Sequence, residues 1–585
     1  LGCVCLLGSN GLALLIPWFT KQAIDHLEHA TTSTGLARPY FFGILIIVTA
    51  AGQMCIRIGS RWLLLGNSRK VAHDLRNDLF AHLQKLAPSY YVRTPTGDLM
   101  SRAINDMQYV QSLVGPVILY MSNTVIMYLG AIPIMLSMST ELTLLALIPY
   151  PLFLITFKRF TAVLFARSRA VQEKLGEVSS RAQESLSGMQ IIKAYVQEES
   201  EAGHFRDRSE DYLETNKKLI RAHALLMPLM TVVGRMGMLV VIWVGGMRAI
   251  EGSITLGDFV AFNGYLLILA MPTAFLGMIL SASQRGLSAL RRINDVFDEE
   301  PTIADDESVL QFEIERGEIE IRDLSFTYPS NNGAPNHRFG LENINLKIPA
   351  GTTLAIVGHT GSGKTTLVNL ISRQLELEPG NIFIDGRDIT TIPLAEARRK
   401  IGMVPQESFL FSTTLRENIA LGYHGGGQPQ EAGMEAGEDV NMKVSVEEAA
   451  AAAGLMDDIE AFPKGLEAMI GERGINLSGG QRQRSALARA LVADPKILIL
   501  DDAFSSVDTH TEELILENLK GTLVQRTAVI ISHRVSTVKD ADNIIVIEEG
   551  RIAEQGTHDS LVQEGGIYAE LYERQLLMEE LEELE

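Results

Sequence analysis

Cysteine is nearly missing: only Cys3, Cys5 and Cys55 occur in 585 residues. All three sit in apolar runs near the start. They form no disulfide framework and have no metal-ligand spacing, and their burial habit reads them as small membrane-core residues. A basic excess is missing too. Lys and Arg number 51 against 71 Asp and Glu, a net charge of −20. Binding a phosphate backbone needs a basic surface, so nucleic acid is excluded as a partner. An opening methionine is also lacking. The chain begins at Leu1 inside an apolar run, so a truncated N-terminus is expected and no targeting peptide is assigned.

What is present points two ways. Hydrophobic residues make up 46% of the chain, yet 21% are charged. A chain of this length suggests several domains, one in a membrane and another soluble. A bilayer core of about 30 Å needs about 20 mostly apolar helical residues. Six segments qualify, at 1–27, 39–65, 113–138, 142–163, 222–250 and 259–282. The connector at 66–112 carries Arg69, Lys70, Arg76, Lys85, Arg93 and Arg102, and the connector at 164–221 is also basic. Positive loops stay in the cytosol, which puts both connectors and everything after the sixth span on that side. Apolar residues at helical spacing, as in "LRNDLFAHLQKL", extend the helices past the membrane.

The expected division is an all-α, six-helix transmembrane domain over 1–294, an acidic linker over 295–316, and an α/β domain over 317–585. In the last part short β-rich runs such as "TLAIVG", "ILILDD" and "TAVIISH" alternate with helical ones. The Gly-rich, acidic stretch 424–440 reads as a surface insertion with little to bury. The acidic end "ERQLLMEELEELE" reads as a solvated helix.

The stretch "GHTGSGKTT", Gly358 to Thr366, follows a strand-like run and matches the P-loop pattern. Gly358, Thr360, Gly361, Ser362, Gly363 and Thr366 belong to a loop whose amides can curl around phosphate oxygens at a helix start. Lys364 is expected to reach the β- and γ-phosphates, and Thr365 to ligate Mg²⁺. Kinases, GTPases and many ATPases share this pattern. Four apolar residues then deliver Asp501, an acid placed to hold Mg²⁺ through water.

"LSGGQRQR", Leu477 to Arg484, narrows the choice. Here the chain resembles the ATP-binding cassette family, and the membrane half resembles its exporter branch. The resemblance implies that Tyr328, in "FTYP", stacks on adenine. It implies that Gln406, in "VPQESFLF", lies near Mg²⁺ and the attacking water. His533, in "ISHR", then contacts the γ-phosphate, and "SSVD", Ser505 to Asp508, is the D-loop at a dimer seam. Two cassettes pair head to tail, so Ser478, Gly479, Gly480 and Gln481 serve the ATP held by the partner's P-loop. Short coupling helices are implied near "INDMQYVQ", from Ile104, and near "VQEESEAGHF", ending at Phe205. The implied cofactors are ATP and Mg²⁺, with Thr365, Gln406 and Asp501 around the metal.

The residue after Asp501 departs from the family, which usually has Glu there. Asp502 is one methylene shorter, which sets its carboxylate back by about 1.5 Å. A misplacement of about 1 Å can lower a rate on the order of 10²-fold, because a base must stay within hydrogen-bond reach of its water. Asp502, His533 and Gln406 are therefore the candidate catalytic residues of a site that binds Mg-ATP and hydrolyses it slowly.

A short base beside an intact signature suggests one half of a heterodimer whose partner, a second half-transporter, carries the Glu. The expected function is ATP-driven export of hydrophobic or amphiphilic compounds, drugs or lipids, across a bacterial inner membrane with the cassette in the cytoplasm. A homodimeric lipid flippase and a regulatory, ATP-gated channel-like subunit are the alternatives. Arg57 and Arg61 read as cations that snorkel to the cytosolic interface, and Arg235 as a cavity candidate. Met227, Met230, Met236, Met238, Met271 and Met278 suit helix packing or promiscuous apolar binding. Pro272 is expected to kink the sixth span.

Overall fold

The computed structural model describes residues 1–28, 37–305, 309, 311–328, 340–423, 444–471, 477–523 and 526–583. The expected insertion at 424–440 and the side chains of Met227 and Met230 lie outside the described residues. The chain divides into two compact units. One comprises Leu1–Gln84 and Thr96–Glu299, the other Lys85–Pro95 and Glu300–Glu585.

The first unit is helical. Among the described residues four helices are long and apolar enough to cross a membrane: Gly2–Leu27, Pro39–Leu83, Thr96–Met138 and Leu256–Phe297. The expected segments at 142–163 and 222–250 fall on the helices Thr140–Leu147, Pro149–Ser187 and Glu198–Val240 and on the helical continuation Val241–Gly245 and Gly246–Ile250. The core gathers Tyr265, Phe262 and Leu269 against Ala13, Met127 and Met135. Polar anchors tie the first helix to the last. The Tyr265 hydroxyl donates to the Leu14 carbonyl at 2.9 Å, and Lys21 pairs with Asp258 at 2.5 Å. Such groups are satisfied inside the bundle because burying them unpaired is expensive. The helix Leu256–Phe297 runs unbroken through Pro272. Arg57, Arg61 and Arg235 are exposed, and the first two share a shallow groove with Gln53 and Met54.

Short helices at Pro88–Arg93 and Met189–Ala194 lie upstream of the two stretches named for the connectors, while Met107–Ser112 overlaps the first of them. Ile104 instead lies in a widened helical turn, Arg102–Asp106, that continues into the next span. The chain breaks at Val196, whose φ is 51°, and Glu198 then starts a 43-residue helix. Three acidic residues in that helix's first turn complement its dipole, so "VQEESEAGHF" straddles a break and a new helix start.

The second unit is α/β. Ten strands occur among its described residues: β1 (Ile319–Thr327), β2 (Gly340–Ile348), β3 (Thr353–Val357), β4 (Ile382–Ile384), β5 (Arg387–Asp388), β6 (Ile401–Val404), β7 (Ile497–Asp501), β8 (Thr527–Ile531), β9 (Asn543–Glu548) and β10 (Arg551–Gly556). An antiparallel sheet has the order β2-β1-β4-β5. The other sheet has the order β10-β9-β3-β8-β7-β6, parallel from β9 to β6 with β10 antiparallel at its edge. Strands β7 and β8 are buried at every residue, as parallel strands covered on both faces must be. Part of the expected linker belongs to this unit. Ile314 is fully buried in its core, while the preceding helix already extends to Phe297.

Candidate active site

The site forms where the parallel strands end. β3 delivers the chain to Gly358, β7 to Asp501 and Asp502, and β8 to Ile531 and His533. Because these strands are parallel neighbours, their C-terminal ends open on one crevice, the usual ligand position in such sheets. One cleft is lined by Tyr328, Thr360, Gly361, Gly363, Lys364, Thr365, Thr366, Gln406, Asp501, Asp502 and His533, together with Gly340 and Ile531.

Local backbone explains the loop. Gly358, Gly361 and Gly363 have φ of 145°, 83° and 109°, a region open mainly to glycine. A Cβ on Gly358 would meet the Ile547 carbonyl at 2.2 Å. Gly363 caps the helix Lys364–Ile371, whose start carries partial positive charge. Lys364 is buried, and its ammonium donates to the Gly358 and His359 carbonyls at 2.8 and 2.9 Å. Burial pushes that ammonium below its ordinary pKa, while Asp501 and Asp502 act in the other direction. The Ser362 hydroxyl is buried and has no hydrogen-bond partner among the described residues. A glycine-lined cradle with a spare buried hydroxyl and a desolvated cation is a fit for phosphate oxygens.

Asp501 is 2% exposed. Burial pushes its carboxyl up, with the Thr365 hydroxyl opposing and Asp502 adding to the rise. Thr365 Oγ1 donates to Asp501 Oδ1 at 3.3 Å. A hydroxyl and a carboxylate paired this way, with the Gln406 amide on the same cleft, form an all-oxygen donor set that fits a hard divalent cation such as Mg²⁺. Tyr328 places its hydroxyl 3.2 Å from Thr366 Oγ1 and its ring edge-on to Phe326. The residue is 40% exposed.

Asp502 sits in the left-handed region, with φ 50°. That conformation disfavours L-residues by roughly 1–2 kcal/mol, and aspartate is among the few that adopt it routinely. Its amide donates to the Ile531 carbonyl at 2.9 Å, which ties it to the strand that carries His533.

Ser478, Gly479, Gly480 and Gln481 do not line this cleft. They start the helix Gly479–Val492 through a capping box: the Ser478 hydroxyl accepts from the Gln481 amide, and the Gln481 side chain accepts from the Ser478 amide. Gln481 Nε2 donates to Asp458 at 2.8 Å, so both ends of that carboxamide are used within the chain.

Several participants carry no motif signal. Gly340 and Ile531 line the cleft but read as ordinary strand residues. Arg489, half-buried in the signature helix, donates to the Phe409 and Asn418 carbonyls at 2.9 and 2.8 Å and so braces the loop that follows Gln406. Contacts this far apart in sequence leave no local pattern to read.

Comparison with known proteins fits this geometry. Residues 1–273 match the family described as ABC transporter transmembrane region, and residues 341–505 match ABC transporter. The multidrug resistance-like ATP-binding protein MdlA of Escherichia coli is 34% identical over 99% of this chain and 94% of its own length. The ATP-dependent lipid A-core flippase of Desulfotalea psychrophila is 35% identical over 87% of this chain and 85% of its own. A solved structure of a bacterial Atm1-family ABC exporter with ATP bound superposes with a TM-score of 0.77 at 26% identity, covering 98% of this chain and 97% of the other.

Proposed function

Because the chain belongs to the ABC transporter family, exporter type, we propose that it is one half of a pump that exports hydrophobic or amphiphilic compounds, drugs or lipids, by alternating access. It is an ATPase coupled to transmembrane transport. The observation that carries the reading is the convergence of Lys364, Thr365, Gln406, Asp501, Asp502 and His533 on one cleft, in a chain whose other unit holds helices of bilayer length. We carry the six-span count, the nucleotide domain at 317–585 and the cytoplasmic face of a bacterial inner membrane as parts of this proposal.

In it, Lys364 and the loop amides bind the β- and γ-phosphates of ATP, and Tyr328 stacks on the adenine. Mg²⁺, held by Thr365 and by Asp501 and Gln406 through water, supplies charge compensation on those phosphates when bound. Asp502 orients the attacking water and His533 faces the γ-phosphate. Ser478, Gly479 and Gly480 serve the opposite site, in keeping with their place outside the chain's own cleft. Gln481, engaged by Ser478 and Asp458, holds that helix start in shape.

Asp502 makes this chain's own site slow, so we propose a different partner chain that carries Glu at the corresponding position. Coexpression with a neighbouring-gene partner, followed by ATPase assay, tests the pairing. Full loss of turnover on mutating only the partner's Glu supports it, and brisk hydrolysis by the chain alone overturns it. The short base also favours a second reading, in which ATP gates a channel-like subunit. Uphill, ATP-dependent dye efflux from proteoliposomes supports the pump; passive flux that merely opens with ATP supports the gate.

A further inference from the structure

The signature helix carries a second glutamine, which its motif leaves without a role. Gln483 is 5% exposed, and its carboxamide turns away from the helix start toward the loop after β7. Nε2 donates to the Ser505 hydroxyl at 2.7 Å and to the Asp502 carbonyl at 3.4 Å. Oε1 accepts from the Ser506 amide at 2.9 Å. The peptide groups flanking Asp502 are thus held from two sides. Ile531 of β8 takes the N–H, and Gln483 of the signature helix reaches the carbonyl, which also accepts from the Ser505 amide at 3.3 Å.

The same loop packs on the signature glycines. A Cβ on Gly479 would meet Ser506 Cβ at 2.9 Å, and one on Gly480 would meet the Ser506 carbonyl at 2.9 Å. Signature start, D-loop and Asp502 therefore form one contiguous block. A non-glycine residue keeps a left-handed backbone only where its surroundings over-determine it, and Asp502, at φ 50°, has three such constraints, from Ile531, Gln483 and the Ser505 amide.

We infer that Gln483 is a positioning residue for the hydrolytic step: it fixes the backbone at 502, and with it the direction of the Asp502 carboxylate, and joins that aim to the signature helix. This rests on the reading of Asp502 as the residue that orients water. Nucleotide binding does not depend on it, because none of the groups that Gln483 touches belongs to the phosphate cradle. Gln483 therefore affects turnover and leaves affinity alone, whereas a buried amide with a merely structural role would affect both or neither.

The test uses the full chain in nanodiscs, with its partner where one is required, and photoreactive 8-azido-ATP labelled on the α-phosphate. Label on this chain in the cold reports binding, and label trapped with vanadate after warming reports hydrolysis at its own P-loop. Gln483→Met is expected to keep the binding label and to lose about 10-fold of the trapped label. Adding Ser505→Ala is expected to make the double variant no worse, because the two residues act through one contact. Gln483→Glu keeps an acceptor for Ser506 and can accept from Ser505, but it cannot donate to the Asp502 carbonyl. It is expected to show the same loss in a chain that folds. Wild-type trapping in either variant overturns the inference, as does a parallel fall in binding. Failure of the transporter reading shows separately, as wild-type protein without ATP-dependent transport, while the Gln483 comparison remains a ratio within one chain.

Discussion

The amide of Asp502 donates to the carbonyl of Ile531 at 2.9 Å, across two parallel strands, while Asp502 holds a left-handed φ of 50°. Asp502, which lines the cleft, is therefore fixed in a conformation that aspartate accepts more readily than glutamate. Length and backbone preference pull in opposite directions at this position.

Asp502→Glu should show both. The longer side chain should raise hydrolysis at this site by roughly 10- to 100-fold, and the backbone should lower the stability of the α/β unit by about 1 kcal/mol. Vanadate-trapped nucleotide on this chain and thermal denaturation measure the two effects. Unchanged trapping would show that carboxylate reach is not what limits the site.

Glu512 is 1% exposed and accepts from Arg534 at 2.5 Å and from the Thr537 hydroxyl. Arg534 also donates to the Val507 carbonyl of the D-loop at 2.9 Å, and His533 lies between Arg534 and the buried Ser532. Glu512→Ala leaves a guanidinium and a hydroxyl without their acceptor, so a destabilisation on the order of 2–4 kcal/mol is expected. Glu512→Gln, which still accepts, should lose less. A melting temperature for Glu512→Ala equal to that of the wild type would refute this.

Asp385 accepts from the amides of Glu315, Arg316 and Glu318 at 3.0, 2.9 and 2.9 Å. Burial pushes its carboxyl up, but the backbone donors at 315–318 outweigh burial and hold it below the ordinary aspartate value. A depressed folded-state pKa stabilises above the unfolded value, near 3.9, and that contribution is lost as pH falls through the folded one. Asp385→Asn should therefore melt earlier at pH 7. The gap should hold down to about pH 5 and close below about pH 4. A gap independent of pH across that range would remove the charge from the explanation.

In the helical unit, Arg292 grips Asp106 with both ends of its fork, at 2.9 and 2.5 Å, joining the widened turn at Arg102–Asp106 to the end of the last helix. The Asp106 side chain is 7% exposed and that of Arg292 is 44% exposed, so solvent screens part of the pair. Asp106→Ala should destabilise by roughly 1–3 kcal/mol. Exchanging the two residues should recover part of the loss, and residual activity after heating in detergent or nanodiscs reads both.

The sequence by itself determined the family motifs and the order of the parts. The P-loop, "ILILDD" and "LSGGQ" are contiguous, because each is a local solution: a strand, a tight turn and a helix start that must be close in sequence to be close in space. Apolar runs of bilayer length are legible for the same reason. Only the tertiary structure decided what came from afar. It set Gly340 and Ile531 on the cleft and gave Gln481 to Ser478 and Asp458. It placed short helices upstream of Ile104 and of the Val196 break, and it tied Gln483 to the backbone of Asp502. Those outcomes depend on which parallel strands become neighbours and on which buried polar groups must find partners, and neither demand leaves a local trace in the order of residues.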